Sequence, residues 1–403
     1  MYALHTRRPD CIGFQTIKLH RTIVDASMWQ VTSMRASIQN GTDSQPGERR
    51  SGNSTACFVH DADGRVVKNL KPGEEGEMMV PTLRGRVAVL VASVMLAFFP
   101  LLTKAQGKER PMEHRGERRT EHAMVYRTVQ VDGLSIFYRE AGPKDAPTLL
   151  LLHGLPSSSR MFEPLFARLS DRYHMVAPDY PGFGHSDWPD PKKFAYTFDH
   201  IAEVMSHFTE ALGISHYSLY MQDYGGPVGF RMILAHPERV ESLIVQDAVA
   251  HDSGLGANWK TRRAYWADRA ANESALRENL LSLATTRARH VGDDPNVERH
   301  DPDLWTDEYY FLNQPGQIDI QSDLFYDYRT NVENYPKWDA WMREKQPHLL
   351  VIWGKYESSF DASEPESYRR DVPKAEIHIV DGGHFALDTA ADEIAFIVGE
   401  FLK

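Results

Sequence analysis

One ten-residue stretch constrains this 403-residue chain more than any other: Tyr220-Met221-Gln222-Asp223-Tyr224-Gly225-Gly226-Pro227-Val228-Gly229. The residues before it, from His216 to Leu219, fit a short strand that Tyr220 completes. Those after it, from Phe230 to His236, are apolar at helical spacing. A strand that turns sharply into a helix holds one side chain at the top of a sheet on a strained turn. The helix N-terminus behind that turn favours negative charge. Asp223 stands at that position. A helix N-cap is the bland alternative for such an aspartate, and the flanking Gly225-Gly226 weaken it.

The chain around this stretch alternates strands and helices. Residues 124–131 and 134–140 alternate apolar and polar well enough for two strands joined at the hairpin pair Asp132-Gly133. Residues 148–152 are a solid apolar run, as a buried parallel strand requires, and lead into His153-Gly154-Leu155-Pro156. Residues 174–177 predict another strand, followed by Pro178-Asp179-Tyr180-Pro181-Gly182-Phe183-Gly184-His185-Ser186. An amphipathic helix covers 198–212, His236-Pro237 ends the helix after Asp223, and strands follow at 242–246, 348–353 and 376–380. A closing helix spans 392–402. Such alternation predicts an α/β fold with a mostly parallel sheet and helices on both faces. Residues from about 250 to 346 interrupt it with helical, polar sequence rich in aromatics, among them Trp259, Tyr265, Trp266, Tyr309, Tyr310, Phe325, Tyr326 and Tyr328. This segment predicts an inserted helical cap.

The N-terminal part has another character. Residues 1–78 are rich in Arg, Ser, Gly, Asn and Thr without a sustained period, which predicts disorder or an upstream segment included through a wrongly chosen start. Within residues 79–107, Arg84 and Arg86 precede a continuous apolar run at 87–102 and then small residues. That is the layout of a signal peptide, with secretion or a periplasmic destination; a membrane anchor is the alternative, although the run falls short of the ~20 residues of a spanning helix. Residues 108–123 read as a charged linker, and residues 124–403 as the folded domain. A net charge of −11 argues against nucleic acid as a partner. Two cysteines, Cys11 and Cys57, exclude a disulfide framework or a Cys-rich metal site. The 18 histidines form no metal-ligand motif, and no nucleotide or flavin motif appears, so neither metal nor cofactor is expected.

Three features fall in chain order: Asp223 on its turn, a carboxylate in Trp353-Gly354-Lys355-Tyr356-Glu357, and His384 in Gly382-Gly383-His384-Phe385. With His153-Gly154-Leu155-Pro156 and the Asp179 to Ser186 stretch, four motifs stand at compatible spacing. From about Met124 to its end the chain resembles the α/β-hydrolases of the epoxide hydrolase and haloalkane dehalogenase group. The order nucleophile, acid, histidine is the order of that fold. A carboxylate suits backside displacement at saturated carbon, giving a covalent alkyl ester of Asp223. His384 would then activate a water against that ester, held in its tautomer by an acidic partner. No Gly-x-Ser-x-Gly occurs, which disfavours a serine esterase.

The resemblance implies further roles. It makes the backbone N–H groups of Leu155 and Tyr224 an oxyanion hole. The family usually carries Asp as its acid; this chain has Glu357 there, and Asp247, just past the preceding strand, is the rival. Met221 departs from the small residue preferred two positions before the nucleophile. Haloalkane dehalogenases hold halide with a Trp after the nucleophile and an Asn or Trp elsewhere, whereas this chain has Tyr224 after Asp223 and Leu155 where many of them carry Asn or Glu. Epoxide hydrolases use cap tyrosines as proton donors, and Tyr265 and Tyr328 are the candidates chosen here. The expected partner is a small apolar electrophile. Epoxide hydrolysis leads; haloalkane or haloacid dehalogenation is the alternative, and an inactive hydrolase-fold binding protein the third reading.

Overall fold

In β-strands that are buried on both faces, alternate residues must serve two different cores, and this partition organises the domain. The computed structural model describes residues 18–23, 32–37, 57–60, 66–70 and 123–403. The chain divides into two compact units, Met1–His114 and Arg115–Lys403. In the first, β1 (Lys18–Ile23) pairs antiparallel with β2 (Thr32–Ser37), and β3 (Cys57–His60) pairs antiparallel with β4 (Val66–Leu70). The expectation of no regular structure before residue 78 differs at these four strands. An antiparallel pair draws on main-chain hydrogen bonds between near neighbours and needs no period-two pattern. Cys11, the apolar run at 87–102 and the linker up to residue 122 lie outside the described residues.

The second unit holds one eight-stranded sheet. Its strands are β5 (Val125–Val131), β6 (Leu134–Ala141), β7 (Thr148–Leu152), β8 (His174–Pro178), β9 (Tyr217–Gln222), β10 (Val240–Gln246), β11 (Leu349–Gly354) and β12 (Glu376–Val380). They lie in the order β12-β11-β10-β9-β7-β8-β6-β5. β5 and β6 pair antiparallel, as do β6 and β8; every other neighbouring pair is parallel.

The two cores follow the period of two. Leu150 and Leu152 of β7, with Leu219 and Met221 of β9, join Phe198, Val204, Phe208 and Val228 on one face. Leu149, Leu151 and Tyr220 join Phe162, Leu165, Ile394 and Val398 on the other. Each fully buried Leu, Ile or Val contributes about 1.5–3 kcal/mol. A one-residue slip in β9 would therefore exchange its two faces and misplace every residue at its end. Helices Phe198–Ala211 and Gly225–Ala235 cover the first face; Glu163–Leu169 and Leu387–Phe401 cover the second. The closing helix starts five residues earlier than its apolar period indicates. Helices Glu163–Leu169 and Glu364–Asp371 were not read from the sequence, because seven or eight residues are too few to show a period.

Six α-helices between Lys260 and Lys345 separate β10 from β11. Their starts carry ordinary capping chemistry: Asp268, Ser282 and Asp301 accept hydrogen bonds from Ala271, Thr285 and Asp303. The last of them, Arg329–Lys345, is pinned to helix Gly225–Ala235. Trp338 stacks on Phe230 with ring centroids 5.0 Å apart, and Arg231 donates to Asn331 at 2.7 Å and Thr330 at 3.0 Å. The insertion is thereby fixed to the same helix that follows Asp223.

Met221 fits beneath that helix because Gly229 makes room. A Cβ at residue 229 would lie 2.3 Å from the Met221 sulfur and 2.9 Å from its Cγ. Gly229→Ala should therefore cost about 1–3 kcal/mol in urea unfolding, the ordinary cost of overpacking, despite the better helix propensity of Ala. Met221→Ala in the same chain should recover part of that loss by removing the clashing atoms.

Candidate active site

The strand registers bring the chemistry to one edge. Leu152 lies opposite Met221, Gln222 opposite Gln246, Gln246 opposite Ile352, and Gly354 opposite Val380. The residues just beyond, from His153 to Leu155 together with Asp223, Asp247, Glu357 and His384, gather outside the carboxyl ends of parallel strands, where open α/β sheets bind ligands.

Asp223 has φ +47°, in the left-handed region that non-glycine residues rarely enter. Its carbonyl accepts from Gly226 at 3.0 Å, which closes the turn into the helix. Its Oδ1 accepts the Leu155 N–H at 2.8 Å, and the Tyr224 N–H also donates to the carboxylate. The approach of the 153–155 loop depends on Gly154, where a Cβ would lie 2.3 Å from the Asp223 Cβ. His153 positions this loop. It accepts the Tyr180 N–H at Nε2, its Nδ1 lies 3.0 Å from the Gly154 carbonyl, and burial pushes it down to about 4, so it stays neutral. Burial raises the Asp223 carboxyl above its ordinary value, while His384 and the two N–H donors pull it back.

His384 lies between two carboxylates. Its Nδ1 is 2.6 Å from Glu357 Oε2, and its Nε2 is 3.7 Å from Asp223 Oδ2. Burial lowers its affinity for a proton, but the charge and hydrogen bond of Glu357 together with Asp223 outweigh that, and the net shift is upward. Glu357 is oriented from behind by the N–H groups of Ser359 and Phe360 on its other oxygen. The extra methylene of Glu thus still delivers a carboxylate to the imidazole.

Asp247 is brought to the same cluster in a different capacity. Its Oδ1 accepts the Gly354 N–H at 2.7 Å. Burial, then the charge of Glu357, raises its carboxyl well above the ordinary range, and it shares a hydrogen bond with Glu357. Asp247 therefore backs Glu357, and Glu357 meets the histidine.

The two cap tyrosines part company. Tyr328 is buried with its ring 6.0 Å from that of Tyr224, and its hydroxyl is pushed well up by burial, then by Tyr335 and Asp223. The Tyr265 hydroxyl instead bonds within the insertion to the Ser322 hydroxyl and carbonyl, and its charged neighbours are Arg269, Glu273 and Asp323. The Tyr265 hydroxyl is thus engaged by partners inside the insertion.

Sequence reasoning missed several residues that the fold adds. Gln222 donates from Nε2 to the His384 carbonyl at 3.1 Å, with His384 Nε2 at 3.3 Å, and so ties the histidine loop to β9. Tyr180 carries a buried hydroxyl without a partner among the described residues, as does Tyr224, for which the sequence had assigned only the N–H. Arg262 and Arg289 act electrostatically on Asp223 and Tyr224. Chain adjacency to Asp223 was the one signal available, and it reached only Gln222 and Tyr224.

Among the described residues, one group has spacing that a cation could use: His251, Asp339 and Asp371 offer ligand atoms within 4.8 Å of one another. His251 already contacts Glu364 at 2.8 Å and Asp371 at 3.1 Å, and Arg343 donates to Asp371 at 2.9 Å. These bonds make it an ion-pair cluster joining the insertion to helix Glu364–Asp371.

Comparison with known proteins bears on the fold. The family model described as alpha/beta hydrolase fold matches residues 147–391. An uncharacterized hydrolase of Saccharomyces cerevisiae is 35% identical over 275 residues, covering 67% of this chain and 94% of the yeast protein. A haloalkane dehalogenase of Psychrobacter cryohalolentis is 33% identical over 128 residues, covering 30% of this chain and 42% of that protein. The solved structure of the epoxide hydrolase CorEH superposes with a TM-score of 0.56 at 16% identity, covering 70% of this chain and 99% of that one, a likeness of fold.

The division of labour between the two acids is open to measurement. Glu357→Gln should lower kcat by roughly 10⁴, the scale seen when the acid of a Ser-His-Asp triad becomes an amide. Asp247→Asn, which imitates the protonated carboxyl, should keep kcat within about tenfold, since a neutral partner still donates to Glu357. Steady-state kinetics on the two variants checks both, and the opposite ranking would transfer the role to Asp247.

Proposed function

The chain belongs to the alpha/beta hydrolase fold family, and from that premise we propose that this hydrolase opens epoxides through a covalent ester on Asp223. The observation that carries the reading is the carboxylate on the strained turn. Its Oδ1 takes the Leu155 N–H, while Oδ2 stands 3.7 Å from His384 Nε2, leaving one oxygen available for attack and a base beside it. A histidine placed 3.7 Å from an aspartate, and itself oriented by Glu357 at 2.6 Å, suits a reaction whose second step needs an activated water.

In the first step Asp223 attacks a ring carbon, the carbon–oxygen bond breaks, and the freed oxygen takes the proton of the Tyr328 hydroxyl. In the second, His384 Nε2 takes a proton from water as the hydroxide adds to the ester carbonyl. The Leu155 and Tyr224 N–H groups hold the oxyanion. Collapse releases the diol and restores the Asp223 carboxylate. One proton of the water ends on the leaving alkoxide and the other returns to Tyr328, so epoxide and water are fully accounted for. Tyr224 favours epoxide over halide: a phenol whose hydroxyl is buried replaces the indole N–H that cradles halide in the resembling dehalogenases.

His384→Gln should trap the ester. Incubated with styrene oxide, this variant should gain the mass of the whole epoxide on the peptide containing Asp223, because ring opening loses no atoms. An adduct with 1,2-dibromoethane alone would replace this reading with dehalogenation, and no adduct with either would point to a binding protein. In the wild-type background, Tyr328→Phe should slow ester formation by about 10²–10⁴, the usual contribution of a general acid, as read by single-turnover kinetics.

A further inference from the structure

Two arginines of the helical insertion act on the site. Arg262, on helix Lys260–Ala267, has its guanidinium 4.5 Å from the ring centroid of Trp259 and 5.9 Å from that of Phe325. Trp259 stacks on Phe360 at 5.6 Å, Phe360 lies 5.6 Å from His384, and Phe325 lies 6.4 Å from Tyr224. Arg289, on helix Leu283–Val291, is buried, and the neighbouring His290 stacks on Phe385 at 4.4 Å, next to His384 in sequence. The half-buried Arg262 guanidinium therefore borders the aromatic shell around Asp223 and His384, and the charge of the buried Arg289 acts on Asp223 and Tyr224.

Neither is used up by the protein. Arg289 Nη2 donates to the Leu280 carbonyl at 2.9 Å, and Arg262 Nη1 reaches the Asn258 carbonyl at 3.4 Å. Arg262 Nε and Arg289 Nη1 are closed off from solvent without a hydrogen-bond partner, and neither side chain is in an ion pair with a carboxylate among the described residues. A guanidinium presents five N–H donors in a rigid fork, and leaving buried charged donors unmatched is costly. The two cations also repel one another: burial, and then Arg289, brings Arg262 down to about 10. Asp223 does not resolve this, because its Oδ1 is committed to Leu155 and its Oδ2 faces His384.

We propose that Arg262 and Arg289 form an anion subsite and that the natural electrophile carries a carboxylate. The inference rests on the reading of Asp223 as the attacking group and names the substrate class for that same site. A carboxylate matches the donor fork in a bidentate manner. The pair also solves a problem of approach: an anionic substrate is repelled by the Asp223 carboxylate unless cations screen the two negative charges from each other. A small epoxy acid meets these demands.

The test uses the full chain with inert and reactive pairs differing only in charge. Calorimetric titration should show isobutyrate binding roughly tenfold to hundredfold tighter than isobutyramide, the range for charge-assisted hydrogen bonds. The preference should vanish in Arg262→Gln/Arg289→Gln and persist in part in the single Arg→Lys variants, which keep the charge and lose the fork. Those Lys variants decide the matter if circular dichroism shows the double variant unfolded. Glycidate should exceed glycidamide in kcat/KM by a similar factor. Equal binding of acid and amide, or a preference that survives loss of both guanidinium groups, overturns the proposal. Bromide binding as tightly as isobutyrate overturns it in favour of a halide cradle. A carboxylate preference without any adduct on Asp223 would leave the subsite standing and remove the epoxide reading. Adducts from neutral epoxides without a carboxylate preference would do the reverse.

Discussion

A single backbone torsion, φ +47° at Asp223, sets the geometry of everything around it. A non-glycine residue held there costs on the order of 1–3 kcal/mol, and the strain persists only where the surroundings over-determine it. Here β9 is hydrogen-bonded between β7 and β10, and its Leu219, Tyr220 and Met221 are buried on both faces. The strand cannot slide or rotate without emptying one core. On the other side of the turn the Gly225–Ala235 helix is pinned by Trp338 through Phe230. The strain is thus held between two elements that are each fixed by packing, and the carboxylate is delivered to the Leu155 and Tyr224 N–H groups ready-oriented.

Electrostatics then divides labour among four acidic and basic groups in close contact. Burial and then the charge of Glu357 raise the Asp247 carboxyl well above its ordinary range. Glu357 Oε2 faces His384 at 2.6 Å. His384 gains proton affinity from this partner and from Asp223 despite its burial. The same low-dielectric surroundings that raise these couplings make the unpaired donors of Arg262 and Arg289 expensive. Arg262 and Arg289 both belong to the insertion.

Legibility followed the range of the signal. β7 stood out because four consecutive leucines admit few alternatives, and residues 148–152 match it; residues 376–380, an edge strand alternating polar Glu376 and His378 with Ile377 and Ile379, match β12. The short helices Glu163–Leu169 and Glu364–Asp371 did not, since each is formed mainly by docking on the sheet rather than by its own period. Tyr265 and Tyr328 were equivalent in sequence, two tyrosines in aromatic neighbourhoods. Only packing separated them, turning one toward Ser322 and burying the other beside Tyr224. Nothing in the composition of residues 250–346 distinguished Arg262 and Arg289 from the surface arginines around them.

By itself, then, the sequence determined the order of strands and helices, the turn that exposes Asp223, and the chain order of Asp223, Glu357 and His384, because these depend on periodicity and on glycine and proline at short range. The tertiary structure decided which carboxylate reaches the imidazole, which tyrosine packs beside Tyr224, how Met221 is accommodated by Gly229, and where Arg262 lies against Trp259. Those choices turn on distances of one or two bond lengths between residues tens to more than a hundred positions apart. Such distances are set by the register of the sheet and the docking of the insertion.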